Sequence, residues 1–561
     1  MTSAKELPAV DTDPRLVEPP VRFSESQLWE IQRNYFQTMG IKAWREEVPF
    51  YISSNAFIGQ RYALLVLNFI KDWHLLHPRS HTPFYIMETG SGTGKFSYFF
   101  LKSLKELLAS YNMADQPFCY IMTDLIEKNL EFCEKNPSFA PFIDQGILDF
   151  SCFNVETDKD IYLRKQKKNY SELHVKTPLI VIANYTLDCI TQDAVDIKFG
   201  KMEAVKLGLR SRYKHFDVEK SEHLNDLTLT YEKAEINPKT HYENPYLNEI
   251  LEEYQESFES LQQITSIVMP MGGFTFFDNL SALTHKKFFA IVGDKGISLL
   301  EKLPLIKPEN RVSYDGCYAF SVNFHALGRY IEKCGGDYLA THNSNDFKVC
   351  LYSVGFNFEE LKDTKACFKT VIENTGPDEY CYTYDEYLTS SHRFSVRGLL
   401  SFLRFSQWDP DAYSAIHNRL LELIPATTPY MLNEITQDLN KVKDKVYRMN
   451  IGDDVYNLLG IFYLSQDLDD KALELFHESI AIFGEKSAPH NNAAVIYEKK
   501  KNMSKALFHY QKSYEMDKQN SFARRKSYQL LGKPTFALIE PVVKGIVVLA
   551  LIMAAFYYFQ Q

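Results

Sequence analysis

The stretch that decides the fold is METGSGTGKFSYFFL, residues 87–101. Just upstream, residues 83–87 form a short apolar run typical of a strand, and from residue 96 to 111 the apolar side chains recur at helical spacing. The three glycines of the stretch are therefore predicted to lie in a turn between a strand and a helix. Glycine can take positive φ in such a turn, and the backbone N–H groups at a helix start favour a negatively charged ligand.

Three classes of cofactor use such a turn, and residue spacing distinguishes them. A phosphate-binding loop needs a glycine where Thr89 stands and a hydroxyl side chain where Phe96 stands, which disfavours ATP and GTP. A dinucleotide fingerprint needs its third glycine where Lys95 stands. The remaining pattern, an acid followed by Gly-x-Gly-x-Gly, resembles motif I of Rossmann-like S-adenosylmethionine-dependent methyltransferases; the alternative is a glycine-rich turn without a ligand. The resemblance implies cofactor contacts from Glu88, Gly90, Ser91, Gly92 and Gly94.

Two further strand-like runs carry residues suited to an adenosyl group. Residues 118–123 end in Asp124, whose carboxylate can accept hydrogen bonds from both ribose hydroxyls, although a plain helix N-cap is the alternative. Residues 148–154 lead to Asn154 and Val155, which are predicted to recognise adenine.

The continuously apolar run at residues 178–183 is typical of a central parallel strand. It would deliver its following residues to the carboxyl edge of the sheet, where ligands bind in open α/β folds. Methyl transfer requires mainly alignment of donor and acceptor and removal of a proton. The candidate positioning residues are Asn184 and Tyr185, and the candidate bases are Asp188, His325 and Asp294. His325 has a structural role as its alternative, and Asp294 a turn cap.

Five motifs occur in one order along residues 48–355: METGSGTGKF, YIMTDL, IANYTLDCI, VGDKG and VNFHALGRYI. Together they resemble the MidA-like S-adenosylmethionine-dependent methyltransferases, the family of the mitochondrial complex I assembly factor type. The resemblance implies a Rossmann-like class I methyltransferase fold, S-adenosylmethionine as cofactor and a protein side chain as acceptor. Family members often have Glu where this chain has Tyr185, which disfavours an arginine acceptor unless Asp188 supplies the carboxylate.

Composition and patterning define the domains of the 561-residue chain. Its 62 basic and 72 acidic residues disfavour nucleic acid as a partner, and its nine cysteines lack the spacing of a metal site or a disulfide framework. Residues 1–22 are predicted to be disordered. A methyltransferase domain is predicted at 23–396, with a helical insertion at about 206–265 that shapes the substrate pocket, followed by a helical bridge at 397–450.

The region 451–532 contains a repeat. Six positions recur with an offset of 34 residues, a period that resembles tetratricopeptide repeats. They pair Gly460, Tyr463, Ala472, Leu473, Phe476 and Ser479 with Ala494, Tyr497, Ala506, Leu507, Tyr510 and Ser513. Such units bind protein partners in a groove, and the alternative is a pair of helical hairpins that stabilises the enzyme.

The C-terminal residues 537–559 are predicted to form a single-pass membrane anchor. The part from Pro541 to Phe559 is apolar except for Lys544 and approaches the ~20 residues that a helix needs to cross a bilayer. The alternative is an apolar helix docked on the repeats.

The sequence thus predicts an α/β methyltransferase domain, an all-α repeat domain and a tail anchor that holds the catalytic domain in the cytosol. The predicted function is S-adenosylmethionine-dependent methylation of a protein side chain, with a protein partner bound by the repeats. The alternative is a non-catalytic, membrane-anchored adaptor built on a degenerate methyltransferase fold.

Overall fold

A computed structural model describes residues 10–40, 51–78, 82–217, 220–224, 226–305, 312–314, 318–341, 347–449 and 452–532. It contains two compact units, which divide between Asp385 and Glu386. This division falls before the boundary at 396 that the sequence predicts.

The first unit contains the strands. In chain order they are β1 Val10–Arg22, β2 Phe84–Thr89, β3 Phe118–Asp124, β4 Leu148–Cys152, β5 Tyr162–Leu163, β6 Lys168–Asn169, β7 Leu179–Asn184, β8 Asp193–Lys198, β9 Lys201–Tyr213, β10 Thr228–Glu235, β11 Thr265–Met269, β12 Phe288–Ile297, β13 Val312–Tyr314, β14 Tyr318–Phe320, β15 Val322–Asn323, β16 Gly336–Ala340 and β17 Phe347–Val354.

Helices cover the sheet of the first unit and make up the second. In chain order they are α1 Leu28–Met39, α2 Ala56–Leu76, α3 Lys95–Ser110, α4 Glu127–Lys135, α5 Ala140–Asp144, α6 Ser221–Leu224, α7 Pro245–Ser257, α8 Met271–Leu283, α9 Phe324–Lys333, α10 Lys362–Phe368, α11 Pro377–Ser390, α12 Val396–Phe405, α13 Pro410–Leu423, α14 Pro429–Asp444, α15 Val455–Leu464, α16 Asp469–Phe483, α17 Ser487–Lys499, α18 Met503–Met516 and α19 Ser521–Leu530.

The central sheet has the strand order β16-β17-β12-β7-β2-β3-β4, with β15 beside β12. The strands from β12 to β4 run parallel, whereas β17 is antiparallel to both of its neighbours. Every residue of β2, β3 and β17 is buried, as expected for strands covered on both faces. This mixed sheet confirms the predicted α/β architecture with parallel strands.

The strand order reverses between β2 and β7. From β2 the chain adds β3 and β4 on one side, and it then returns to add β7 and β12 on the other. Connections that leave in opposite directions open a crevice at the carboxyl ends of the two strands, and ligands of open α/β sheets bind there.

A second sheet, of order β1-β9-β8-β11 with β10 also paired to β9, lies in the first unit. It corrects the prediction of a helical insertion at 206–265, because that region contains the end of β9 and all of β10 in addition to α7. The missed signal was a period of two in β9, where Val205, Leu207 and Leu209 are all fully buried.

The structure also differs from the prediction of disorder in residues 10–22, which form β1, paired antiparallel with β9. The pairing shifts register at three places, and two of them contain proline: Pro14 in the first, and Pro19 and Pro20 in the third. Proline lacks the N–H that a strand donates to its neighbour, and the prolines therefore led to a prediction of disorder. An edge strand tolerates proline, because one side of it has no neighbouring strand. Arg22 Nε donates to the buried Asp193 Oδ2 at 2.8 Å and fixes the end of β1. Residues 1–9 lie outside the described residues.

The second unit is helical in its described part. Helices α15 and α16 form one packed pair, and α17 and α18 form the next. The small residues of the 34-residue offset that lie on α16 to α18 are fully buried, namely Ala472, Ala494, Ala506, Ser479 and Ser513. A Cβ on Gly460 would overlap the Phe476 ring, so the contact between the two helices requires glycine there.

Within the described residues, we find no helix that combines the length and the apolar character required to cross a bilayer. The predicted anchor at 537–559 lies outside these residues.

We expect Gly59→Ala to destabilise the first unit, because α2 and α3 approach each other closely at this glycine. A Cβ on Gly59 would lie 2.7 Å from Phe99 Cβ and 2.9 Å from its carbonyl carbon, and α3 is the helix that follows the glycine turn. The expected loss in the free energy of unfolding is about 1–3 kcal/mol, measured by urea denaturation. The neighbouring Gln60→Ala serves as control, and equal stability of both variants would contradict the close packing.

Candidate functional site

The glycine turn connects β2 to α3, as the sequence predicts. Gly90, Gly92 and Gly94 all have positive φ, at +63°, +51° and +75°. At Gly94 a Cβ would also lie 2.8 Å from Cys133 Sγ and 2.9 Å from Phe139 Cε2. Only glycine satisfies both the backbone and the packing at this position.

Asp124, the predicted ribose ligand, uses its carboxylate within the protein. It accepts hydrogen bonds from Gly92 N and Ile126 N, both at 2.8 Å, and from Asn129 Nδ2 at 3.3 Å. Burial raises the pKa of Asp124 above its ordinary value, although these three hydrogen bonds favour the charged form. The carboxylate therefore joins the glycine turn to the start of α4.

Glu88 has a similar internal role. It accepts hydrogen bonds from Ser97 Oγ and, at 2.8 Å, from Tyr120 OH, and its side chain is 4% exposed. Burial raises the pKa of Glu88 to about 7. Glu88 therefore connects β2 to α3 and β3, and these hydrogen bonds hold the two elements on either side of the glycine turn together.

Two pockets meet at Gly90 and Tyr185, at the reversal in strand order. The α1 pocket is lined, besides these two residues, by Gln32, Arg33, Phe36, Asp124, Leu125, Ile126, Asn129, Phe153, Asn154, Val155, Glu156, Thr186, Cys189 and Ile190. The glycine-turn pocket is lined, besides the same two residues, by Ser53, Ser54, Glu88, Ser91, Gly92, Thr93, Phe96 and Asn184.

Three buried polar atoms at these pockets have no hydrogen-bond partner among the described residues. Ser91 Oγ and Asn184 Nδ2 belong to the glycine-turn pocket, and Asn129 Oδ1 belongs to the α1 pocket. The orientation of the Asn129 amide follows from its neighbour, because its nitrogen donates to Asp124 and its oxygen must point elsewhere. A buried polar group without a partner costs about 1–3 kcal/mol, which a ligand that bonds to it would recover.

Asn184 and Tyr185 stand at the end of β7. Tyr62 OH donates to Asn184 Oδ1 at 2.9 Å and so fixes the amide. Tyr185 has a φ of +48°, and its N–H donates to Gly293 O at 2.9 Å. For a residue other than glycine, a backbone with positive φ costs on the order of 1–3 kcal/mol of stability. This conformation places Tyr185 between the two pockets. Burial, with Asp294 and Asp188 nearby, raises the pKa of Tyr185, so its hydroxyl is neutral at physiological pH.

Asp188 and Asp294 form a buried pair next to this strand end, but neither lines the two pockets. Asp294 Oδ2 accepts hydrogen bonds from Leu187 N at 2.9 Å and from Asp188 N at 3.1 Å. Burial raises the pKa of Asp188 to about 6, and burial together with Asp188 raises that of Asp294. Asp294 therefore holds the backbone of the 184–188 segment.

His325 lies away from the other candidates. Its Nδ1 is 2.9 Å from Tyr254 OH on α7, and burial lowers the pKa of its imidazole to about 4. It lines neither pocket, and its contact with Tyr254 connects α7 to α9.

Asn154 and Val155 both line the α1 pocket. Asn154 Oδ1 accepts a hydrogen bond from Glu156 N at 3.0 Å and so caps its own turn. The amide oxygen is thus engaged, whereas Val155 contributes an apolar wall.

Several lining residues were not found from the sequence, above all those of α1. Gln32 Nε2 donates to Cys189 O at 3.2 Å, and its Oε1 accepts from Tyr318 N at 2.9 Å. Arg33 Nη1 lies 3.6 Å from Glu156 Oε2. The apolar spacing of α1 could have predicted a helix, but not its place at the pocket, which depends on β1.

The chain matches no protein-family model and no curated protein. Among solved structures it resembles a candidate methyl transferase from Burkholderia thailandensis bound to S-adenosyl-homocysteine, at 12% identity and a TM-score of 0.38, over 60% of this chain and 88% of that one. A second structure from that organism, of an uncharacterized protein, has 13% identity and a TM-score of 0.37, over 60% and 87%. Magnesium protoporphyrin IX methyltransferase from Synechocystis PCC 6803 with bound S-adenosylmethionine has 9% identity and a TM-score of 0.26, over 58% and 96%.

We expect Glu88→Gln to remove a pH dependence of stability. Because the folded-state pKa of Glu88 lies near 7, above its ordinary 4.5, its contribution to stability is full below about pH 4.5 and is lost as pH rises through 7. The variant should therefore gain on the order of 3 kcal/mol relative to the natural chain between about pH 4.5 and 8.5. Urea denaturation across this range measures it. The exposed Glu106→Gln is the control, and parallel curves for Glu88→Gln and the natural chain would contradict the raised pKa.

Proposed function

We propose that this protein is an S-adenosylmethionine-dependent methyltransferase whose cofactor binds across the α1 pocket and the glycine-turn pocket. The observation that supports it most is the group of three unpartnered buried atoms, Ser91 Oγ, Asn129 Oδ1 and Asn184 Nδ2, around the reversal in strand order. A glycine-rich turn without a ligand would leave all three unsatisfied.

The residues of the two pockets fit the two ends of this cofactor. In the glycine-turn pocket, the Ser91 hydroxyl and the Asn184 amide can donate to the carboxylate of the methionine end. In the α1 pocket, Asn129 Oδ1 can accept from a ribose hydroxyl or the adenine amine. Side chains that suit an adenine ring line the same pocket, namely Leu125, Ile126, Phe153 and Val155.

When bound, the cofactor supplies an electrophilic methyl group, so the protein must align the acceptor and manage a proton. Tyr185 lies where the two pockets meet, and its neutral hydroxyl can donate a hydrogen bond that orients the acceptor. We assign proton uptake to the Asp188 carboxyl, which lines neither pocket and would receive the proton through one intervening water. Its pKa of about 6 leaves it charged at neutral pH, and Asp294 holds its segment.

The acceptor that we propose is a protein side chain. Asp188, Asp294 and Asp378 all act on Tyr185 electrostatically, and such a field favours an acceptor that is basic or loses a proton. We propose further that the helix pairs from α15 to α18 bind the partner protein, and that residues 537–559 anchor the chain in a membrane with the catalytic domain in the cytosol. Exposed apolar side chains at Met503 and Phe508 on α18 are suited to such a contact.

Calorimetric titration of the full chain with S-adenosylmethionine tests the cofactor proposal. We expect saturable binding, and we expect Gly92→Arg to abolish it because the added side chain would fill the turn between the pockets. Gly146→Arg is the matched control, since Gly146 also has positive φ, at +71°, but lies in open space. Absence of binding to the natural chain, or equal loss in both variants, would refute the site and favour the adaptor alternative.

Transfer of tritiated methyl groups into a cell lysate tests the reaction. We expect the label in protein, with a rate that rises as pH passes through about 6, where Asp188 loses its proton. Asp188→Asn should lower the rate at least about tenfold and remove this limb of the pH profile, because an amide accepts no proton. Its affinity for S-adenosylmethionine should stay unchanged. An unaltered profile in the variant would exclude Asp188 as the base, and label in lipid alone would exclude a protein acceptor.

A further inference from the structure

A third pocket lies at the opposite edge of the central sheet, where β7 and β12 begin. Its lining includes Thr177, just before β7, and Lys287, just before β12. The cofactor cleft lies where β7 ends, and a six-residue strand spans roughly 20 Å. This amino-edge pocket is therefore separate from the proposed methyl-transfer site, and nothing in the reaction above uses it.

The lining of the amino-edge pocket is basic. It contains Lys176 and Lys287 together with the imidazoles of His77, His174 and His285, and it contains no carboxylate. Neither lysine has a carboxylate partner among the salt bridges of the described residues. Two cations in a concave site without a counter-charge attract anions.

A buried donor at the same pocket has no partner. Trp73 is 5% exposed and lines the pocket, and its indole Nε1 has no hydrogen-bond acceptor in the described part of the chain. The His77 ring stacks on the indole with centroids 3.8 Å apart, and His77 Nδ1 donates to Trp73 O at 3.2 Å. The pocket thus combines two lysine cations with an unpartnered N–H donor, and a ligand that fits it must carry hydrogen-bond acceptors.

The chemistry of the lining excludes other ligand classes. A metal ion is disfavoured because the described residues contain no group of three potential ligands placed to hold one, despite the three histidines here. A cationic or apolar ligand would leave Lys176, Lys287 and Trp73 Nε1 without a counterpart. An oxyanion with several acceptor oxygens matches all of them.

We propose that the amino-edge pocket binds a phosphate group, either as inorganic phosphate or as a phosphate monoester. Lys176 and Lys287 supply the charge, and Trp73 Nε1 donates the hydrogen bond that it lacks in the structure. The proposal is independent of the methyltransferase function, since the two sites occupy opposite edges of the sheet.

Calorimetric titration of the full chain with inorganic phosphate and with phenyl phosphate, at constant ionic strength in chloride, tests the site. We expect saturable, mutually competitive binding of the two probes. The double substitution Lys176→Met and Lys287→Met should weaken it at least about tenfold, because both charges are lost. Lys286→Met is the matched control, since Lys286 is adjacent to Lys287 but does not line the pocket. Both lysines of the double variant are exposed, so its unfolding temperature without phosphate should match that of the natural chain.

Two further variants separate the outcomes. Trp73→Phe keeps the aromatic ring but removes the N–H, and it should weaken binding several-fold. Gly92→Arg should retain phosphate binding even where it loses S-adenosylmethionine, which distinguishes failure of this proposal from failure of the proposed function. Tighter binding of phenyl phosphate identifies a monoester as the ligand, and tighter binding of phosphate identifies the free ion. No saturable heat, or equal affinity in the double variant and the Lys286→Met control, would overturn the proposal.

Discussion

The reversal of strand order between β2 and β7 is the constraint on which the rest of the first unit depends. The two strands are hydrogen-bonded neighbours, but their connections leave toward opposite sides of the sheet, so no crossover covers their carboxyl ends. Gly90 and Tyr185 follow these ends directly, and both pockets include them. Thr89 and Thr186 hold the edges of the crevice together through their hydroxyls, 3.1 Å apart.

Buried carboxylates build this site, and the polar atoms left without partners belong to neutral side chains. Asp124, Glu88 and Asp294 each accept two or more hydrogen bonds from the protein, and so position the glycine turn, α3 and the 184–188 segment. The atoms that remain free to bind are a hydroxyl and two amides. This division has a physical reason, because a buried charge is stable only when donors surround it, and a carboxylate so surrounded has few lone pairs left for a ligand.

The second sheet explains why the pocket includes residues far away in sequence. Strand β1 pairs with β9, and Glu18 then accepts a hydrogen bond from Gln27 N at 3.0 Å, which fixes the start of α1. From there Gln32 and Arg33 reach Cys189 and Glu156 at the α1 pocket. The insertion therefore acts on the site through the N-terminal segment that it holds in place.

The sequence by itself determined the strand, turn and helix around Gly90–Gly94 and the apolar runs that form parallel strands, because local periodicity and glycine geometry are properties of short segments. It also identified Asp124, Asn184 and Tyr185 as residues of strand ends. Tertiary structure decided what the individual side chains do. Asp124 accepts hydrogen bonds from backbone amides, His325 contacts Tyr254, and Asn129 presents an oxygen without a partner. Such roles depend on which groups meet across the fold. The same holds for the proline-rich residues 10–22, which form a strand because they pair with β9 at the edge of a sheet. No local pattern specifies a partner that lies far away in the sequence. Burial, which sets the pKa values and leaves some atoms unpaired, arises only when the chain packs.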